Sequence, residues 1–391
     1  MKVLFILSLS KGGLVHYTAE LANAVAKYEH VMVIKPKMTD VDNIFSDKID
    51  VRNWFLPFPL YLLDLYHNAS ISKFMQLARG FISYRNVKLI HELDPDIIHI
   101  PTGVFPFIRI FLKLYKIDES YPLVVTHHEI PSNKLHLSRS MLTNLYIAVN
   151  NIVPAVRETK SIVHREEAKN LLIRRGYNEK QIHIIPHGAY SFFVSYNNPN
   201  IKEEDNTVLF FGRIIPDKGL DLIIEAILRV RDKIPNVKLI IAGQGEISES
   251  SRMIINKYSA NFEVHNRYIL NEEVGSFFQR AKIVVPYAGS KRGFTGLSGA
   301  LTIAYTYGKP VVVTNVDKYK EWVEEVGCGF VVPPGDTQAF ANAIIELLEN
   351  EKLRRKMRKK ALEKAKELSW DNIAKKHIEI YREAIGEFKL K

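Results

Sequence analysis

Cysteine is almost absent: Cys328 stands alone in 391 residues. That excludes an internal disulfide and fits a reducing compartment. Long apolar runs are missing too, so no stretch is expected to span a bilayer. The opening residues, Met1-Lys-Val-Leu-Phe-Ile-Leu-Ser-Leu, have only a short apolar core, and no small-residue cleavage site follows before Gly12-Gly13. A first buried strand is expected there rather than a cleaved leader. No segment is low-complexity. The phosphate-binding pattern Gly-x-x-x-x-Gly-Lys-Ser/Thr is absent. The positive charge comes without any known nucleic-acid motif, which argues against nucleic acid as a partner.

What is present suits two α/β domains. The length and a 47% hydrophobic content are enough for two cores. The net charge of +11 is spread over both halves: residues 1–195 carry 23 basic and 17 acidic side chains, and residues 196–391 carry 31 and 26. Such a balance suits anionic substrates or an anionic membrane surface. A polar, turn-prone stretch, Ser195-Tyr-Asn-Asn-Pro-Asn200, followed by Lys202-Glu-Glu-Asp205, sets the expected boundary at 195/196.

The most informative stretch is Val208 to Ile227. Val208–Phe211 reads as a buried strand ended by Gly212, and Leu220, Ile223, Ile224 and Ile227 recur at helical spacing. Between them lie Arg213 and Lys218, beside the N–H groups of a helix start, a combination suited to a multiply charged anion. From composition alone, both read better as ordinary surface cations near a turn, and spacing does not settle the matter. A second stretch repeats the design. The strand Ile283–Tyr287 leads to a glycine-rich loop, then Ser298-Gly299 opens a helix that ends at Gly308-Lys-Pro. It is either another anion-binding helix start or a plain turn capped by Ser298. In the first half, Val3–Leu9, Val31–Ile34, Ile97–Ile100, Leu123–Thr126 and Ile152–Val156 read as strands, with Gly12-Gly13 forming the turn after the first. His127-His128-Glu129 follow a strand at its carboxyl end, where ligands of open α/β sheets bind. A histidine there can donate a hydrogen bond or shuttle a proton. Phe74, Leu77, Ala78 and Phe81 mark a helical stripe among Lys73, Arg79, Arg85 and Lys88, which reads as a solvated basic helix or one lying on a membrane.

Phe211-Gly-Arg, then Lys218-Gly, then an apolar helix, resembles the donor-phosphate motif of the family-4 retaining glycosyltransferases. The resemblance extends over nearly the whole chain. It is strongest at 208–245 and 283–340 and loosest at 40–90. It implies the GT-B fold, an α/β architecture of two Rossmann-like domains facing across a central cleft. Residues 1–195 would form the acceptor-side domain, completed by the helix 370–391, and residues 196–369 the donor-binding domain. By the same resemblance Arg213 and Lys218 hold the donor diphosphate, and His128 lies near the reacting sugar. Gly12, Gly13, Gly212, Gly243, Ser298, Gly299 and Glu321 line the donor site, and backbone around Tyr268 passes the nucleobase. Asp94-Pro-Asp96 mimics a metal-binding Asp-x-Asp pair, but it precedes its strand and is expected to be structural.

The chain departs from the family at several places. Two glutamates usual in the family fall at Thr295 and Ile303, and neither is acidic. The Ser-Gly then Gly-Lys-Pro run is similar to a subset of the family that lacks them. Glu129 stands where Asp is usual, His187 where Asn is usual, and Asp317-Lys-Tyr-Lys-Glu321 keeps only the Glu of Gly-Gly-x-x-Glu.

The resemblance implies sugar transfer from a UDP- or GDP-linked donor to a hydroxyl of a glycan, polysaccharide or lipid-linked acceptor. It implies retention and needs neither metal nor cofactor. The expected location is cytoplasmic, with peripheral membrane contact through residues 51–90 if the acceptor is a lipid. The alternatives are a GT-B sugar-nucleotide epimerase or phosphorylase, and a non-catalytic GT-B partner subunit.

Overall fold

The computed structural model describes residues 1–57, 71–128, 130, 152–289, 298–316 and 319–390. The chain forms two compact units, Met1–His187 with Trp370–Lys391, and Gly188–Ser369.

The first unit is built on a seven-stranded sheet of order β3-β2-β1-β4-β5-β6-β7. Its strands are β1 Lys2–Ile6, β2 His30–Pro36, β3 Asp50–Phe55, β4 Ile97–Ile100, β5 Leu123–His127, β6 Lys160–Val163 and β7 Ile182–Ile184. Every pairing is parallel. Parallel strands are covered on both faces, which is why Val3, Leu4, Phe5 and Ile6 are all fully buried. Helix α1 (Gly13–Val25) follows β1. The final helix, Trp370–Lys389, packs against α1, β4 and β5. The helix Ile71–Ser83 forms where its apolar stripe predicts one.

Two expectations fail in this unit. Ile152–Val156 is not a strand, and Ile152 is largely exposed. The strand is Lys160–Val163, hidden in the sequence by its polar residues. Lys160 is buried, with its Nζ paired to Glu387 Oε1 of the last helix at 2.7 Å. The unit boundary also falls at 187/188, not 195/196. The turn Phe192–Tyr196 packs on the helix Asn271–Arg280 of the second unit, and the Tyr307 hydroxyl donates to the Phe193 carbonyl at 3.1 Å.

The second unit has a six-stranded sheet of order β10-β9-β8-β11-β12-β13. Its strands are β8 Thr207–Phe211, β9 Lys238–Ala242, β10 Phe262–His265, β11 Ile283–Tyr287, β12 Val311–Thr314 and β13 Gly329–Val332, again paired in parallel. Its core joins Val208, Phe210, Leu239, Ile241, Ile283 and Val285 to Ile223, Ile227 and Val230 of the helix Leu220–Lys233. In each unit the strand order reverses beside the first strand, at β1/β4 and at β8/β11. The crevice outside the carboxyl ends of the strands at such a reversal is where open α/β sheets bind ligands.

Asp94 and Asp96 have structural roles. Asp94 takes a left-handed conformation (φ +46°) to end a short helix, and Asp96 Oδ2 accepts the Lys2 amide at 2.7 Å. None of the helices among the described residues is long and apolar enough to cross a membrane.

Candidate functional site

In the second unit the chain leaves β8 at its carboxyl end and turns at Gly212, with φ +116°. A side chain here would meet the Lys218 ammonium: a Cβ would sit 2.6 Å from Nζ. Glycine therefore leaves room for a lysine folded back over its own loop. The ammonium lies 5.8 Å from the centre of the Phe210 ring. Burial, then the nearby Arg213 guanidinium, push Lys218 down to about 8. Arg213 itself is exposed. The loop is braced from behind by Gly243 (φ +151°), where any Cβ would overlap the Gly212 carbonyl oxygen. Gly212 N–H donates to the Ala242 carbonyl at 2.9 Å and Ile214 N–H to that of Gln244 at 2.8 Å.

The β11 side meets this loop directly, since the Ala288 amide donates to the Lys218 carbonyl at 2.9 Å. Ser298 precedes the helix Gly299–Thr306 and makes no side-chain cap hydrogen bond. Its hydroxyl instead meets that of Tyr319, a buried ring 5.4 Å from the Tyr287 ring. Burial, then the Asp217 carboxylate, raise Tyr287. Tyr287 and Tyr319 thus connect the Ser298 loop to the Arg213–Lys218 loop. Neither tyrosine stands out in the sequence, because aromatics at strand ends usually belong to the core. Ile303 is only 3% exposed, so the position where the family has a glutamate lies in the core. Thr295 and Glu129 lie outside the described residues.

The remaining positions expected at the site are more scattered. Tyr268 lies beyond β10, and its carbonyl accepts from the Arg267 guanidinium at 3.2 Å while Arg267 grips Glu273. Glu321 is half-buried on the helical turn Lys320–Glu325. Gly12 and Gly13 belong to the other unit. Gly12 precedes α1 with φ +93°, and its amide donates to Asp40 Oδ2 at 3.1 Å.

The first unit gathers histidines where consecutive strands end. His128 follows β5, His164 follows β6 and His187 follows β7, all around the buried ring of Tyr17. The Tyr17 ring centre lies 4.5 Å from that of His128, 5.6 Å from His164 and 5.0 Å from His187. His128 is buried, and both its nitrogens have partners within the unit. Nε2 lies 2.7 Å from the Pro101 carbonyl and Nδ1 lies 3.0 Å from His164 Nε2. Deeper in, His99 bridges the Tyr381 hydroxyl (2.7 Å) and Thr126 Oγ1 (2.8 Å). Beside them His127 Nε2 pairs with Glu158 Oε2 at 2.8 Å, and that oxygen also accepts from Ser161 Oγ at 2.5 Å. Tyr17, His164 and Glu158 escape a reading of motifs one at a time. The signal that would find His164 and His187 is a histidine just past the end of one strand after another.

Residues 11–189 match the family described as Glycosyltransferase Family 4, and residues 195–364 match that described as Glycosyl transferases group 1. The chain belongs to glycosyltransferase family 4. The Mycolicibacterium smegmatis protein named phosphatidyl-myo-inositol mannosyltransferase is 24% identical over 383 residues, covering 96% of this chain and 91% of that one. An uncharacterized glycosyltransferase of Methanocaldococcus jannaschii is 25% identical over 362 residues, 88% of this chain and 93% of that one. The match to the Mycobacterium leprae protein of the same mannosyltransferase name is shorter, 25% identical over 45% of this chain and 46% of that protein. Among solved structures, Anabaena HepE in complex with UDP and glucose superposes with a TM-score of 0.67 at 18% identity, covering 97% of this chain and 98% of that one. WaaG, a glycosyltransferase involved in lipopolysaccharide biosynthesis, gives 0.64 at 17% identity, covering 97% and 99%. The fold of this family-4 glycosyltransferase is GT-B, with two parallel-sheet α/β domains.

Proposed function

We propose that the protein transfers a sugar from a UDP- or GDP-linked donor to an acceptor hydroxyl, with retention at the anomeric carbon and without a metal. The observation that carries this reading is the loop after β8. It lies at the strand-order reversal and holds Lys218 as a half-buried ammonium beside Arg213. An enclosed cation with a depressed proton affinity gains a partner when a diphosphate arrives. The names of the relatives support the substrate class: one is a mannosyltransferase, and another was solved with UDP and glucose.

The physical problem is the leaving group. As the glycosidic C–O bond lengthens, negative charge builds on the diphosphate. Arg213, Lys218 and the helix start at Ser298 and Gly299 would stabilise it, and one preorganised hydrogen-bond donor of this kind is worth about 3–4 kcal/mol. No carboxylate pair is assigned to flank the bond, unlike in many glycosidases. The leaving phosphate itself would help deprotonate the acceptor, which then attacks the oxocarbenium-like sugar from the same face. Gly212 and Gly243 shape the donor loop, Tyr268 passes the base, and Glu321, Gly12, Gly13 and His128 complete the proposed set. A lipid-linked acceptor would bring the helix Ile71–Ser83 to a membrane, where exposed Met75, Ile82 and Arg79 offer both apolar and cationic contact.

The buried Ile303 favours a second reading, a GT-B partner subunit without catalysis, because a family carboxylate is missing there. One experiment separates the two. Thermal shifts with UDP, GDP, ADP and their common sugars in EDTA, on wild type and Arg213→Ala, are expected to show stabilisation by one nucleotide in the wild type alone. Product analysis with and without an acceptor alcohol and inorganic phosphate then separates transfer from epimerisation or phosphorolysis. A wild type that binds no nucleotide, or an Arg213→Ala variant with near-normal turnover, removes the reading.

A further inference from the structure

His128 and His164 present a proton count that two neutral rings cannot satisfy. The Pro101 carbonyl, 2.7 Å from His128 Nε2, can only accept, so Nε2 carries a hydrogen. The Ile185 carbonyl, 2.8 Å from His164 Nδ1, also can only accept, so that nitrogen carries a hydrogen as well. A neutral imidazole has one N–H. Both rings would then face each other with bare lone pairs across 3.0 Å, from His128 Nδ1 to His164 Nε2. The three contacts need three protons. We propose that His128 and His164 share a third ring proton between these two nitrogens, and that His164 is thereby the positioning residue that fixes the tautomer and orientation of His128.

The surroundings act in both directions. Burial disfavours charge on either ring, and the imidazoles of His187, His127 and His377 add to that for His128. The two carbonyls oppose it but are outweighed: His128 is pushed down to about 3 and His164 well below its ordinary value, so only the hydrogen bond shared across 3.0 Å can hold the third proton on the pair. The Tyr17 ring packs against both imidazoles, at ring-centre distances of 4.5 Å from His128 and 5.6 Å from His164. The titratable groups facing the pair are Tyr17 from α1, His99 from β4, His127 from β5, His187 beyond β7 and His377 from the last helix. Among the described residues, no carboxylate hydrogen-bonds either ring. The hydrogen-bond geometry decides the balance, because loss of the third proton leaves the two lone pairs opposed and drives the rings apart. The arrangement is therefore intact at lower pH and lost as pH rises through the pair's proton release.

The proton count is tested without reference to catalysis. In the full chain labelled with 15N-histidine, NMR at neutral pH is expected to show one N–H proton coupled to nitrogens of both rings. His164→Gln can donate an amide hydrogen to His128 Nδ1 with no extra proton. That variant is expected to lose the bridging resonance and keep the His128 Nε2–H. Two neutral rings with no bridging proton in the wild type would overturn the proposal. The positioning role rests on the sugar transfer proposed above. Turnover of the wild type is expected to fall as the bridging resonance disappears with rising pH, at unchanged KM for the donor, and His164→Gln is expected to abolish that fall. A fall that persists unchanged in His164→Gln overturns the positioning role. Absence of any transfer refutes the catalytic reading instead, and the resonance still decides the proton.

Discussion

A lysine enclosed by its own loop carries a titration with it. Lys218 is pushed down to about 8 by burial and by the Arg213 guanidinium. In the free protein its charge is present below that pH and is lost as pH rises through it. A diphosphate favours the charged form, so binding takes up a proton wherever the free lysine is partly neutral. Affinity for a nucleoside diphosphate, measured by calorimetry, is therefore expected to weaken by roughly tenfold, or about 1.4 kcal/mol, for each pH unit above this point. Lys218→Gln should bind more weakly at pH 7 and lose that slope. An affinity flat between pH 7 and 9.5 in the wild type would place Lys218 outside the anion site. Sequence pattern pairs Arg213 with Lys218, because a strand, a glycine turn and a helix start are all local signals. It cannot reveal that Lys218 alone is enclosed, since the enclosure depends on the absent Cβ of Gly212 and on the Phe210 ring.

Elements differ in how openly they declare themselves. Apolar parallel strands such as β1, β8 and β11 are evident as short hydrophobic runs. Strand β6 is not, because its polar Lys160 is buried by a partner far along the chain, Glu387 of the last helix. Contacts of that range have no local signature. The same helix offers a stability test. Tyr381 donates to or accepts from His99 Nδ1 at 2.7 Å, and both are fully buried. Tyr381→Phe leaves a buried ring nitrogen without its partner, so urea unfolding is expected to show a loss of about 1–3 kcal/mol with little change in slope. In the second unit the brace behind the donor loop is steric. Gly243→Ala forces a side chain onto the Gly212 carbonyl at a backbone angle that L-residues avoid. A loss of about 1–3 kcal/mol is expected from the backbone strain alone. Nucleotide affinity should fall with it, as the loop carrying Arg213 and Lys218 is displaced. Wild-type nucleotide affinity in Gly243→Ala would show that the brace and the site are independent.

Across the whole molecule the positive charge is distributed, while the chemistry assigned to the donor is concentrated. Alternating strands and helices, glycine turns after strands and the restart at residue 207 are enough to read two parallel α/β units. The boundary between them reads too late in the sequence, because a polar stretch marks chain chemistry rather than packing, and Phe192–Tyr196 packs into the second unit. The histidine cluster is largely illegible, since it forms only when α1, β4, β5, β6, β7 and the last helix come together. With separate cores in the two units, a diphosphate held mainly by Arg213 and Lys218 should stabilise the second unit first, because binding energy enters stability only where the bound state is the folded one. Hydrogen exchange with a saturating nucleoside diphosphate is therefore expected to slow amides in 207–220 and 298–303 while leaving Lys2–Ile6 at its free rate. Equal slowing of β1 would mean that the two units open as one, and that the nucleotide's linkage extends beyond the unit that carries Arg213 and Lys218.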